Sequence, residues 1–166
     1  MNYIIDGHNL IATLPELDLN MPDDEQRLIE LLVRFSQSGP KRVEVYFDGA
    51  GVGQAGERNF GRVKAHFVLY STTADQAIRT RLQRLRSASR NWVVVTSDRA
   101  VQAAAREVHA QVMRSEDFSD LLHVELLQAN LGSGSGGNQL PVEATLSEAE
   151  VQEWLELFKR RGKHSI

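Results

Sequence analysis

The residues of this chain best suited to carry chemistry are aspartates that end apolar runs. Tyr3-Ile4-Ile5 leads into Asp6-Gly7, Val43-Glu44-Val45-Tyr46-Phe47 into Asp48-Gly49, and Trp92-Val93-Val94-Val95-Thr96 into Ser97-Asp98. A buried strand ending in a carboxylate presents it at the sheet edge where α/β folds bind ligands. Asp75 adds a fourth carboxylate at the expected start of a helix that can face the same crevice. Carboxylates converging without a matching cation repel one another, and a hard divalent ion, Mg2+ or Mn2+, resolves that repulsion. The chain has no cysteine and no paired-histidine spacing, so zinc is not indicated. Such an ion activates water and neutralises charge on a phosphodiester during in-line attack. Asn9 offers an amide to fix the Asp6 carboxylate or touch a ligand. His8, with no partner visible in the sequence, is a weaker candidate for a proton shuttle. Plainer readings stand beside these: Asp-Gly after a strand is also an ordinary turn, and Ser97-Asp98 before Ala100 and Val101 is also a good helix N-cap.

The elements that must position these groups alternate between strand and helix, which predicts a parallel sheet. Strands are expected at Tyr3–Ile5, Val43–Phe47, Val63–Tyr70, Trp92–Thr96 and Ala110–Met113. Pro22-Asp23-Asp24-Glu25 opens a helix whose Leu28, Leu31, Leu32 and Phe35 share one face, and Ser38-Gly39-Pro40 ends it. Ala50 to Gly61 has four glycines and no apolar periodicity, so it reads as a mobile loop over the rim. No Gly-Lys-Ser/Thr follows those glycines, which argues against a P-loop. A helix beginning near Ala74 buries Ala74, Ile78, Leu82 and Leu85, with Asp75, Arg79 and Arg86 along one flank and Arg81 and Arg84 along the other. No acid occurs from Gln76 to Ser97, so the arginines form a candidate phosphate-facing stripe. A further helix follows Ser115-Glu116-Asp117, with Phe118, Leu121, Leu122 and Leu126 inward.

At 166 residues and 42% hydrophobic, the chain is long enough for one domain with a real core. Residues 1–130 form the expected domain, 131–146 a Gly/Ser-rich flexible linker, and 147–166 a last helix. That helix carries an apolar stripe of Val151, Trp154, Leu155 and Phe158 and a basic end, and it is expected to dock on the domain. The net charge of -3 means that a nucleic-acid surface has to be local rather than a property of the whole molecule. With neither a signal peptide nor a membrane-spanning stretch evident, the expectation is a soluble cytoplasmic protein without membrane association.

Five motifs in register, Ile5-Asp6-Gly7-His8-Asn9-Leu10-Ile11, Val45-Tyr46-Phe47-Asp48-Gly49, Thr73-Ala74-Asp75, Thr96-Ser97-Asp98-Arg99 and Met113-Arg114-Ser115, resemble the YacP-like NYN domains, relatives of the PIN-domain nucleases. The resemblance runs from residue 2 to about 126 and resumes in the Arg-Arg-Gly-Lys end. It implies a PIN-like three-layer domain with a mainly parallel five-stranded sheet, Mg2+ or Mn2+ dependence and endoribonuclease activity, with mRNA on the ribosome as a candidate substrate. By position Asp6 and Asp75 look like the central metal-binding acids, Asp98 and Asn9 like supporting site residues, and Asp48 like a peripheral one; together with the strand-end reading this makes Asp6, Asp75 and Asp98 the candidate metal-binding and catalytic acids, with Asn9, Asp48 and Ser97 in support. Arg79, Arg86, Arg58, Arg62 and Arg99 become the candidate RNA contacts. This chain departs from the pattern at His8, where the family usually has Tyr, and at Arg79, where it often has an acid.

The expected function is therefore a metal-dependent endoribonuclease. The principal rival is a non-catalytic RNA- or ribosome-binding module of the same fold, made conceivable by Arg79. A phosphatase-like hydrolase fits poorly, because the second carboxylate expected two residues after a nucleophilic Asp6 is replaced by His8.

Overall fold

The computed structural model describes residues 1–132. In chain order these form β1 (Asn2–Asp6), α1 (Gly7–Ile11), α2 (Asp24–Gln37), β2 (Arg42–Ala50), β3 (Gly56–Phe60), β4 (Val63–Leu69) and α3 (Ala74–Leu85). A 3-10 turn (Arg86–Asn91) then leads into β5 (Trp92–Val95), α4 (Arg99–Glu107), β6 (Gln111–Met113) and α5 (Ser115–Gly132). The chain divides into two compact units, Met1–Ser119 and Asp120–Ile166. The first holds the whole sheet; the described part of the second is the remainder of α5. That helix runs two residues into the span expected to be linker, and the expected C-terminal helix lies outside the described residues.

The sheet has six strands in the order β3-β4-β2-β1-β5-β6. Five of them are parallel, as expected, and β3 is an antiparallel edge strand. This corrects the reading of Ala50–Gly61 as a loop. Only Phe60 of β3 is even half-buried, so with both faces open to solvent there was no apolar alternation to read. The β3–β4 hairpin closes through Gly61-Arg62, and Gly61 takes the positive φ of 65° that a two-residue hairpin favours at its first position.

Alternating residues of the strands feed two cores. On one face Tyr3 meets Phe35 and Phe118 at ring-centroid distances of 5.4 and 5.5 Å, and Phe35 meets Phe118 at 5.2 Å. On the other, Ile4, Tyr46, Trp92 and Val94 pack with Ala74, Ile78 and Leu82 of α3 and Val101 and Ala105 of α4. The 3.6-residue spacing of those helical residues is what lets α3 and α4 cover the sheet. Chain order turns around at β1: β2 and β4 lie on one side of it, and the α3 crossover delivers β5 and β6 to the other. The carboxyl end of β1 is thus the switch point, where such sheets open a crevice.

Gly7 is required there for a reason the sequence did not reveal. Its φ is not positive, but a Cβ would stand 2.3 Å from Phe47 Cε1 and 2.9 Å from the Tyr46 carbonyl oxygen. The first turn of α1 lies directly on β2. We therefore expect Gly7→Ala to destabilise the protein by roughly 1–3 kcal/mol in chemical denaturation, as overpacking of a close-packed site does; unchanged stability would show that α1 can lift off the sheet freely.

Candidate active site

Asp6 ends β1 and N-caps α1, its Oδ1 accepting a long 3.4 Å hydrogen bond from the Asn9 amide. Burial is the largest influence on its carboxyl group, and the charges of Asp48 and Asp98 add to it. Against the opposing effects of the Asn9 hydrogen bond and His8, they push its pKa up to about 6. β2 continues past its expected end, so Asp48 lies inside it at the irregularity between Phe47 and Ala50, and Asp98 lies three residues beyond β5, yet both act electrostatically on Asp6.

Asn9 holds this edge together. Its side-chain carbonyl accepts from the Ser97 backbone N–H at 2.8 Å and from the Ser115 hydroxyl. One amide thereby ties the turn after β1 to the turns after β5 and β6. Ser97 Oγ accepts from the Ser115 amide at 3.2 Å and donates to Glu116 at 2.6 Å. The supporting roles expected of Asn9 and Ser97 thus take a definite form, as positioning residues of the turns.

Asp98 is exposed and caps α4: Oδ1 accepts from the amides of Ala100 and Val101 at 2.8 and 3.2 Å. Both cap bonds go to one oxygen, so the other takes no part in the cap. Asp75 sits in the first turn of α3, behind the Thr73/Gln76 capping box. Its Oδ2 lies 3.4 Å from Arg79 Nη2, while its Oδ1 is buried with no hydrogen-bond partner. The charges that act most on Asp6 are those of Asp48, His8 and Asp98.

His8 was the residue most underread. Its Nδ1 lies 2.8 Å from Asp48 Oδ1 and its Nε2 2.8 Å from Glu25 Oε1. The hydrogen bond to Glu25, aided by the one to Asp48 and opposed by burial, pushes its pKa up to about 9, so at neutral pH both ring N–H groups donate. Histidine here is a fixed counter-cation with two partners, a role that leaves no free ring nitrogen for a shuttle. Glu25 had been read only as a helix-start acid. Linking it to His8 requires knowing how α2 is rotated against α1, which an apolar stripe alone does not tell.

The expected arginine contacts divide. Arg99 is exposed at the start of α4, beside Asp98, and Arg79 lies one turn into α3. Arg58 stacks over Phe67 at 4.8 Å and lines a cavity of about 300 Å³ with Glu25, Gly49 and Gln54. Arg62 lies at the amino-terminal edge of the strands and donates to the carbonyls of Gly39 (2.7 Å) and Ser36 (3.5 Å), closing the end of α2. Arg86 has left the helix, with φ of 48°, and stands eleven residues beyond Asp75, about 16 Å down the axis. Arg81 is taken up by a bidentate pair with buried Glu44, at 2.8 and 2.7 Å. The continuous stripe expected along α3 is thus broken: a helical wheel shows azimuth but neither the end of the helix nor internal partners.

Among the described residues, no three carboxylate or imidazole side chains stand close enough to hold one ion together. The donor chemistry nevertheless suits a hard cation, with an Asp6 carboxylate that burial and like charge make unstable and a buried Asp75 oxygen that lacks a donor. Mg2+ commonly keeps several waters and takes only one or two protein carboxylates. Asp6 and the uncommitted oxygen of Asp98 would be the nearest ligands, with Asp75 able to join from α3.

The pKa of Asp6 yields a stability prediction. A carboxyl group raised from 3.8 to about 6 on folding makes the fold lose stability as pH rises through that window, because the folded state retains the proton longer. Asp6→Asn keeps the cap and removes the charge. Without divalent ions it should be more stable than wild type by roughly 1–2 kcal/mol at pH 8, with no difference below about pH 3.5. Thermal melts at the two pH values check this; a variant less stable at pH 8 would mean that the Asp6 charge is well compensated.

No curated protein matches the chain. Among solved structures it is similar to Rae1 (YacP) from Bacillus subtilis, at 21% identity and a TM-score of 0.60 over 99% of this chain and 95% of that one. A single-substitution variant of the same protein matches at 23% identity and 0.60, over 98% and 96%. These likenesses establish the fold as NYN/PIN-like. The sequence model of the YacP-like NYN domain matches residues 3–159, and with the strand-end aspartates and their turns in place, the chain belongs to the YacP-like NYN domain family.

Proposed function

We propose that this protein is a metal-dependent endoribonuclease that hydrolyses RNA phosphodiester bonds. The observation that carries the reading is the half-buried Asp6 carboxylate at the switch point of a nuclease-type sheet, under the charges of Asp48 and Asp98. A fold gains nothing in stability from such a group, and positions of this kind are where sites are built. When bound, Mg2+ or Mn2+ supplies a lowered pKa for water and neutralisation of charge on the phosphodiester.

The chain's own residues do the rest. At neutral pH Asp6 is mainly a carboxylate, ready to bind a cation. Asn9 fixes the turns that carry Asp6 and Asp98, so the two do not separate when charge enters the cleft. His8 offsets one of the two charges on Asp48 and Glu25, which lowers the repulsion a phosphate would meet. Exposed Arg99 and Arg58 are the arginines this reading assigns to the RNA strand, and Arg79 would exchange Asp75 for a phosphate. A ribosome-bound mRNA is the narrower form of the substrate and the cytoplasm its compartment; among the described residues no helix is long and apolar enough to cross a membrane.

One observation favours the second reading, a non-catalytic RNA- or ribosome-binding module: the Arg79–Asp75 ion pair occupies an acid that the nuclease would use. The two readings separate on turnover. With Mn2+ present we expect cleavage of a single-stranded RNA that EDTA abolishes. Asp6→Asn and Asp75→Asn should each lower it by about a hundredfold or more while RNA binding persists. Binding without metal-dependent cleavage by the wild-type chain would select the module, and full activity in Asp75→Asn would confine the chemistry to Asp6 and Asp98.

A further inference from the structure

A second polar cavity, of about 440 Å³, opens between α3 and the β2-β4-β3 part of the sheet. Its size lies in the range that holds small ligands. The walls include Tyr46, His66, Thr72, Gln76, Thr80 and Arg84. Glu44 and Arg81 also face it but satisfy each other; burial would raise Glu44, and the guanidinium overrides that and holds its carboxyl below the usual range. Lys64, also in the wall, lies 3.4 Å from Glu57, whereas Arg84 makes no ion pair among the described residues, which leaves it as the unpaired cation of the cavity.

His66 lies flat on Tyr46, with ring centroids 4.3 Å apart and planes 3° from parallel. Its Nδ1 stands 3.4 Å from Glu57 Oε1, whose negative charge favours the neutral tautomer with the proton on that nitrogen. Nε2 is then a bare acceptor, and it is buried with no hydrogen-bond partner. Burial, outweighing the pull of Glu57 and Glu44, keeps the ring neutral. A buried acceptor without a donor is destabilising until a ligand brings one. The cavity begins at Thr72 and Gln76, on either side of the start of α3 that carries Asp75, and ends at Arg84, about 12 Å further along the helix.

We propose that this cavity receives one nucleotide of the RNA strand beside the cleaved bond, with Arg84 on a phosphate and His66 Nε2 accepting from an exocyclic amino group of the base. The inference rests on RNA being the substrate. A simple anion would meet Arg84 but also the carboxylates of Glu44 and Glu57, and would leave Nε2 without a donor. A nucleotide supplies the anion, the donor and hydroxyls for Thr72 and Thr80 together. Adenine and cytosine carry the amino group; uracil presents a carbonyl in its place.

The test uses the full chain in EDTA, where cleavage is suppressed, and fluorescence anisotropy with oligoadenylate, oligocytidylate and oligouridylate of about six residues. Oligoadenylate and oligocytidylate should bind about five- to tenfold tighter than oligouridylate. His66→Phe, which keeps the ring stack, should remove that preference without weakening oligouridylate, and His66→Gln, which restores an acceptor, should recover part of it. Arg84→Ala should weaken all three and lower the slope of log affinity against log salt by about one. Amide NMR shifts on adding 5′-AMP should centre on Tyr46, His66 and Thr80. Equal binding of the three oligomers, a preference untouched by His66→Phe, or inorganic phosphate reproducing the 5′-AMP shifts would each overturn the proposal. Metal-dependent cleavage with no His66 effect sinks the pocket alone; a His66-dependent preference without cleavage sinks the enzyme reading alone.

Discussion

The constraint on which the site depends is the crowding of carboxylates at one sheet edge. β1 is hydrogen-bonded to β2 on one side and β5 on the other, in register, so the acids that end or follow these strands cannot avoid one another. The fold relieves them unequally. Asp48 has the His8 cation, and Asp98 has two backbone N–H groups at the start of α4, where the helix dipole also favours a negative charge. Asp6 has one long hydrogen bond from Asn9, and burial is the largest influence on its carboxyl group. The unresolved charge therefore collects on a single carboxylate at the centre of the edge, which is where a cation has most to gain.

Crowding of this kind would push the turns apart if they were loosely held. Gly7 is pressed against Phe47 and the Tyr46 backbone, and Asn9 reaches across to the turns after β5 and β6. These contacts use backbone and small polar groups, whose geometry varies little once the sheet has formed. The rigidity of the site thus comes from the sheet register, and local strain has no part in it.

The strands and their terminal aspartates were legible because a continuous apolar run followed by Asp-Gly or Ser-Asp is a local pattern with a local cause. The start of α3 near Ala74 was legible for the same reason. What stayed hidden depended on packing. β3 buries almost nothing, so its strand character comes from pairing with β4 and leaves no trace in its hydropathy. Arg81 and Arg84 look alike on a helical wheel, yet one is locked to Glu44 of β2 and over the Trp92 ring while the other faces a cavity. The partner that separates them is thirty-seven residues away from Arg81 in the chain. His8 and Glu25 are a similar pair, joined only when α2 docks.

The two departures from the family pattern act in the same direction. His8 puts a cation beside Asp48, and Arg79 puts one beside Asp75, so each neutralises an acid adjoining the cleft and leaves Asp6 and Asp98 to carry the negative field. A smaller acidic cluster attracts a divalent ion less strongly, because metal affinity grows with the number of charged ligands. It also repels a polyanion less, and the charge saved on the metal side is gained on the RNA side. A site of this composition fills most readily when cation and phosphate arrive together, each supplying the charge the other needs. Magnesium suits that arrangement, since it is commonly held by one or two carboxylates together with substrate phosphates and needs no dedicated protein cage.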